Sequence, residues 1–220
     1  MKILDVPQSG SLAGITSSRN RYGQYRRSRS TPVNPNTSWQ STVRGNLQLN
    51  AAAWRALTAG QRTGWESLGS QMSRTDALGQ SYTLNGFQAY CSVNGNRLNA
   101  GDAAVSAAPS LVTPDPLTFG TITLTTAVFT VAYTATPCAA GDRVFAYCSP
   151  QRSAGRSFEG DLRLIHVSAA AGASPADVFT EFEARMGTPT EGDRVFLSIA
   201  QYSLGFLSVP AVTSQVVVAA

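Results

Sequence analysis

Apolar positions along this chain change their period twice. Residues 1–36 hold no sustained period; they are rich in Gly, Ser, Asn, Arg and Pro. That pattern predicts an extended arm with at most a short hairpin near Tyr22–Arg29, in which Tyr22, Gln24 and Arg26 face one way and Tyr25, Arg27 and Arg29 the other. Pro32 and Pro35 stiffen the end of the arm and remove backbone donors. Then Trp39, Val43, Leu47, Asn50, Trp54 and Leu57 recur at spacings of 4, 4, 3, 4 and 3, one face of a helix for which Thr37 is a good N-cap. The run breaks at Leu57-Thr58, where Thr58 with Gln61 fits a capping box. A second helix then carries Trp65, Leu68 and Met72 on one side. Trp54 and Trp65 are expected to meet across the turn, beside Leu57 and Leu68. Trp39, Trp54, Leu57, Trp65 and Leu68 are read as core anchors rather than a ligand cage, because they sit at core spacing.

Residues 84–99 predict a third helix, capped by Asn85, with Phe87, Tyr90, Cys91 and Leu98 as its apolar face and Gly101 as its stop. Gly95 in its middle costs about 1 kcal/mol against alanine. Residues 109–116 hold Pro109, Pro114 and Pro116 and read as a linker. Beyond Pro116 the period falls to two. Ile122, Leu124, then Val128 or Phe129, Val131 and Tyr133 alternate; later strands are expected at Arg143–Cys148, Leu162–Ser168, Asp177–Arg185, Val195–Tyr202 and Val212–Val218. With an opening strand near Leu117–Leu124 that makes about seven strands, the spacing of an all-β sandwich. "GDRVFAYCS" at 141–149 echoes "GDRVFLSIA" at 192–200, as two central strands each entered through a Gly-Asp turn would. The expected architecture is therefore an α+β multidomain chain. It has an arm (1–36), a helical docking domain (37–108), a Pro-rich linker (109–116) and an immunoglobulin- or fibronectin-III-like sandwich (117–220).

Charge sharpens this division. Residues 1–74 carry ten basic and two acidic residues, a net +8, whereas residues 75–220 carry seven basic and eleven acidic residues, a net −4. Head-to-tail contact between copies and a basic end facing nucleic acid are both uses of such asymmetry. The arm holds Arg19, Arg21, Arg26, Arg27 and Arg29, with Tyr22 and Tyr25 among them. Arginine and tyrosine are enriched at protein-interface hot spots, and they also neutralise phosphates and stack on bases. Protein docking is ranked first, because the rest of the chain offers no basic groove to extend the arm. Charged residues are only 14% of the chain, against a usual ~25%, which suits burial against neighbours. Lys2 is the sole lysine among 17 basic residues, a bias that interfaces or a GC-rich genome would each produce.

Candidate chemistry is sparse. Cys91, Cys138 and Cys148 form no CxxC pair; a Cys138–Cys148 bridge across two strands competes with two small apolar residues in a reduced compartment, which is favoured. His166, the one histidine, sits in an expected strand without a Ser-His-Asp arrangement. Asp177, Glu181 and Glu183 alternate as on a solvated strand face, and no DxDxDG, GxGxxG or GxxxxGK[ST] loop is present. No catalytic residue, metal site or cofactor is expected. The start of the chain lacks a signal-peptide core and no apolar run approaches the ~20 residues of a membrane span, so synthesis in a cytoplasm and no membrane partner are expected.

"NRYGQYRRSRSTPVNPNT", "AAAWRALTAGQRTGWESLGS" and "LNGFQAYCSVNGNRLNAG" together resemble a family of uncharacterised phage and prophage proteins. The shared pattern is a basic arm ending in Asn34-Pro35-Asn36-Thr37, a W-x-x-L-T-x-x-Q-R-x-x-W helical pair from Trp54 to Trp65, and a helix opening Gly86-Phe87 with Tyr90. It covers about residues 18–116, and the β half resembles fibronectin-III or immunoglobulin-like modules in layout. The resemblance implies a virion structural protein whose partners are other virion proteins and copies of itself. A capsid decoration or cement role comes first and a neck or tail accessory part second. A DNA-binding protein using the Arg/Tyr arm is the alternative from another class.

Overall fold

The computed structural model describes residues 8–76, 78–134 and 139–220. Cys138 and Lys2 lie outside the described residues, and with Cys138 the bridge to Cys148. Among the described residues the fold is mixed α+β, with four helices and several antiparallel sheets. Contacts divide the chain into two compact units, residues 1–42 and 43–220.

The first unit is more regular than an extended arm. Strands β1 (Gly10–Leu12), β2 (Ile15–Asn20) and β3 (Gly23–Ser28) form an antiparallel meander. Sequence reading missed it because its strands bury no apolar face, so no hydrophobic alternation marks them. Two-residue turns hold it instead. Gly23 sits at φ +121°, Asn20 Oδ1 accepts the Tyr22 N–H at 2.9 Å, and the Arg29 N–H donates to the Gly14 carbonyl at 2.8 Å.

Helix α1 (Ser38–Ala56) opens with a reciprocal cap. Thr37 Oγ1 accepts the Gln40 N–H at 3.3 Å, and Gln40 Oε1 accepts the Thr37 N–H at 3.2 Å. Helix α2 (Ala59–Gln71) has the Thr58/Gln61 capping box and α3 (Gly86–Asn99) the same device at Asn85/Gln88. Between them β4 (Ser73–Thr75) and β5 (Ser81–Thr83) make a small hairpin. Helices α2 and α3 cross closely: a Cβ on Gly86 would meet Glu66 Cγ at 2.9 Å, and one on Gly69 would meet the Leu84 carbonyl oxygen at 2.6 Å.

Their core holds Leu57, Trp65, Leu68, Met72, Ala89, Tyr90 and Val93, with Trp54 packed at its edge. The tryptophans do not face one another as expected; each packs on Tyr90, with ring centroids 5.4 Å (Trp54) and 5.1 Å (Trp65) away. The buried side of α3 is Gly86, Ala89, Tyr90, Val93 and Asn94, while Phe87, Cys91 and Leu98 are half-buried. Gly86 sits on that side because any larger residue would meet Glu66 of α2. Trp39 corrects the expected core as well: it is half-buried and belongs to neither hydrophobic cluster. The apolar stripe of α1 becomes buried only towards its C-terminal end, at Asn50, with Leu57 following in the turn to α2; Val43 and Leu47 are exposed.

The β half stacks two sheets. One is β6 (Thr118–Leu124), β7 (Phe129–Thr134) and β10 (Ala176–Asp177), ordered β10-β7-β6. The other comprises β8 (Arg143–Cys148), β9 (Arg163–Val167), β11 (Arg194–Ser203), β12 (Phe206–Leu207) and β13 (Ala211–Val216). Its order is β12-β11-β8-β9, with β13 also on β11. Phe129, Val131, Val144, Ala146, Val195, Leu197 and Ile199 fill the space between the sheets. The two echoing segments are β8 and β11, antiparallel neighbours whose entry glycines, Gly141 and Gly192, have φ +91° and +85°.

One expected strand is a helix. Asp177 ends a two-residue strand, β10, and α4 (Phe179–Met186) follows. Val178, Phe182 and Met186 recur every four residues and pack into the sandwich core, with Phe182 edge-on to Phe129 at 5.2 Å. In so short a window, acid-apolar alternation satisfies a period of two as readily as one of 3.6.

The Pro-rich stretch 109–116 runs without helix or strand, yet the elements on either side of it belong to one compact unit. A hairpin reaches across. Leu204 and Gly205 (φ +51° and +101°) turn β11 into β12 against α3, where a Cβ on Gly205 would meet Val93 Cγ1 at 2.5 Å. Asn96 Nδ2 donates to the Gly205 carbonyl at 2.9 Å, and Phe206 completes the helical core. Asp102, just past α3, accepts the Tyr202 hydroxyl at 2.5 Å and Arg143 Nη2 at 3.2 Å. Tyr202 in turn stacks on Phe145 at 5.3 Å.

Two outcomes follow from this packing. Trp65 is fully buried and its Nε1 donates to the Ser106 carbonyl at 2.8 Å. Trp65→Ala should lower unfolding stability in urea by about 3–5 kcal/mol, and Trp54→Ala, at a half-buried site, by clearly less; equal losses would contradict the packing. The second outcome concerns Asp102, whose carboxyl is held below the usual range by the Tyr202 hydrogen bond first and by Arg143 next. A lowered folded-state pKa gives stability that is present above the unfolded value of about 3.9 and lost as pH falls through the folded one. Tyr202→Phe should therefore reduce the loss of stability below about pH 4, read as melting temperature against pH.

Candidate functional site: the arginine-tyrosine meander

Meander side chains are placed by strand register. Residues directly opposite in an antiparallel pair share a face. Pairs Leu12–Ile15, Ile15–Ser28, Ser17–Arg26 and Arg19–Gln24 therefore define one face, which carries Leu12, Ile15, Arg19 and Arg26. Pairs Ser11–Thr16, Thr16–Arg27 and Ser18–Tyr25 define the other, which carries Tyr25 and Arg27. Arg21 and Tyr22 form the β2–β3 turn, with the Arg21 guanidinium 4.8 Å from the centre of the Tyr22 ring. Arg29 follows β3. The seven arm residues are thus brought into one small element but spread over both of its faces and its tip.

No described residue from 8 to 42 is buried. Leu12 is 84% exposed and Tyr22 81%. Three strands are enough for independent stability only when one face packs on something apolar. None of the meander's described residues is buried in this way. Among the described residues, Arg19, Arg21, Arg27 and Arg29 make no ion pair, whereas Arg26 donates to Gln8 at 3.0 Å. In the β half, arginines are met by carboxylates. Arg143 pairs with Asp102 at 3.2 Å, Arg163 with Asp161 at 2.7 Å, and Arg152 and Arg156 share Glu159.

Several other polar groups are engaged in holding the fold. His166 Nδ1 lies 2.9 Å from Glu181 Oε1 and joins β9 to α4, and Arg185 donates to the Leu164 carbonyl beside it. Burial pushes the Cys148 thiol well above its ordinary range and raises Cys91 as well, so neither presents a thiolate. A cleft of 580 Å³ separates the outer face of the larger sheet from the helices, lined by Met72, Arg74, Tyr147, Ser198, Ala200 and Phe206 among others. Arg74 there donates to Ser92 at 3.4 Å. Among the described residues no three His, Cys, Asp or Glu side chains gather as a metal site, and no helix is long and apolar enough to cross a membrane.

No protein-family model, no curated protein and no solved structure matches this chain. The meander's chemistry is therefore read from its own geometry: four arginines that make no ion pair with a described residue, two aromatic side chains and exposed aliphatic ones, on a sheet none of whose described residues is buried.

Such an element should open readily. Limited digestion of the free protein with trypsin should cleave between Arg19 and Arg29 well before any arginine of the β half. Mass spectrometry of the fragments reads the order, and simultaneous cleavage in both regions would show that the meander is packed after all.

Proposed function

We propose that the protein is a phage virion structural protein, a capsid decoration or cement component that docks through its N-terminal meander and helices. One observation carries the reading: an ordered, arginine-rich sheet without a single buried residue. Such a sheet gains its missing burial from a neighbour, and large assemblies supply neighbours on several sides. The thinly charged composition and the resemblance of residues 18–116 to phage and prophage proteins support the same reading. The β half is assigned a fibronectin-III-like sandwich. The support is its strand order, β6-β7-β10 in one sheet and β13-β11-β8-β9 in the other, with β8 and β11 central. The sandwich then projects from the particle or packs against its neighbours.

Four arginines that make no ion pair with a described residue also favour a second reading, in which the meander binds nucleic acid. Register weighs against it. Arg19 and Arg26 lie on the face opposite to Arg27, so one nucleic-acid surface meets only part of the charge. Deleting residues 1–30 separates the readings. Docking gives particles that lose most of this protein, together with weak, unselective DNA binding by the intact chain at physiological salt. Normal incorporation of the truncated chain, with tight DNA binding of steep salt dependence in the intact one, would reverse the assignment.

A further inference from the structure

The meander's first face has a counterpart on the same chain. That face is apolar at one end, where Leu12 and Ile15 pair, and cationic at the other, at Arg19. At one end of the sandwich, three segments are tied together by backbone hydrogen bonds. The Thr126 N–H donates to the Val218 carbonyl at 3.2 Å, the Val218 N–H to Leu124 at 3.1 Å, and the Gly192 N–H to Val217 at 3.0 Å. Together they present Val128 (43% exposed) and Val218 (51% exposed) beside the exposed Glu191 and the half-buried Asp193. Neither carboxylate forms an ion pair with a described residue. Aliphatic side chains flanked by carboxylates are the complement of aliphatic side chains flanked by an arginine.

We propose that the meander face carrying Leu12, Ile15 and Arg19 docks on the Val128–Val218–Glu191 end of the sandwich of a second copy. The proposal rests on the reading of the meander as a docking element and names its partner. Charge chooses the partner: residues 75–220 carry net −4 against +8 for residues 1–74, so the two ends of different copies attract and like ends repel. The two surfaces differ, so the contact is heterologous and repeats head to tail, closing into a ring or running as a row. Its apolar centre and charged margin follow the usual anatomy of such interfaces.

Sedimentation velocity on the full chain, over a concentration series at low and high salt, tests this directly. Self-association that weakens with salt is expected. Arg19→Glu/Arg21→Glu and, separately, Glu191→Arg should each weaken it by about tenfold or more. Mixing the two variants should restore association, because each supplies the surface that the other's new charge requires. Leu12→Ser/Ile15→Ser, at exposed positions, should weaken association without altering its salt dependence. A parent chain that stays monomeric throughout, variants that associate like the parent, or a mixture that fails to recover would each overturn the proposal. Particle incorporation separates it from the docking reading. If the arginine variant is lost from particles while Glu191→Arg is retained and associates normally, the partner is another protein and docking stands. If removal of residues 1–30 leaves incorporation intact, docking itself fails.

Discussion

Strand β11 is the member on which the second unit depends. Its residues from Val195 to Tyr202 are all buried. Val195, Leu197 and Ile199 point into the space between the sheets. Phe196, Ser198, Ala200 and Tyr202 occupy the opposite face, where Tyr202 stacks on Phe145 and reaches Asp102 beyond α3. The strand's inward face belongs to the sandwich core, while the helical core is reached through Phe206, one turn beyond the end of β11. Helices and sandwich are thus joined through one strand and its hairpin, although 109–116 carries the composition of a linker. Proline punctuation marks where regular structure stops; it does not set whether the bodies on either side separate.

Local signals were the legible ones. The Thr58/Gln61 capping box and the caps Thr37 and Asn85 read directly from sequence, because a cap and its partner lie three residues apart and need no tertiary context. The sandwich strands read well for the same reason, since period-two alternation is local. Even the pairing of β8 with β11 was foreshadowed by the Gly-Asp-Arg-Val-Phe repeat, whose glycines both occupy positive φ.

Non-local features were hidden. The Asp102–Tyr202 contact spans a separation of 100 residues, and the Asn96–Gly205 contact spans 109. No residue type at either end announces its partner. Helix α4 was misread because eight residues hold too few periods to separate 2 from 3.6. The tryptophans were placed on the right segments, but Tyr90 took the position between them, a choice made by the depth at which α3 packs. The candidate site had the weakest signal. Its residues stood out by composition, and the opposition of Gln24 and Arg26 to Tyr25 and Arg27 was legible, but β1 and β2 are strands that no hydrophobic pattern marks.

That division is fixed before any partner arrives. A strand without a buried face is prone to register slips, and a slip of one residue would exchange Arg26 with Arg27 across the sheet. Burial does not prevent this in the meander, so turn geometry must. Gly23 at φ +121° and the Asn20 side chain on the Tyr22 N–H set the β2–β3 turn. The Arg29 N–H on the Gly14 carbonyl and the Ser11–Thr16 hydroxyl contact at 2.9 Å tie the other end. Each of these is a polar contact worth about 0.5–1.5 kcal/mol net, too little to make a core but enough to favour one register over its neighbours. The meander thus combines marginal stability with a defined pattern of charge. A neighbour that covered it would supply the burial, and the turns decide which arginines such a neighbour would meet.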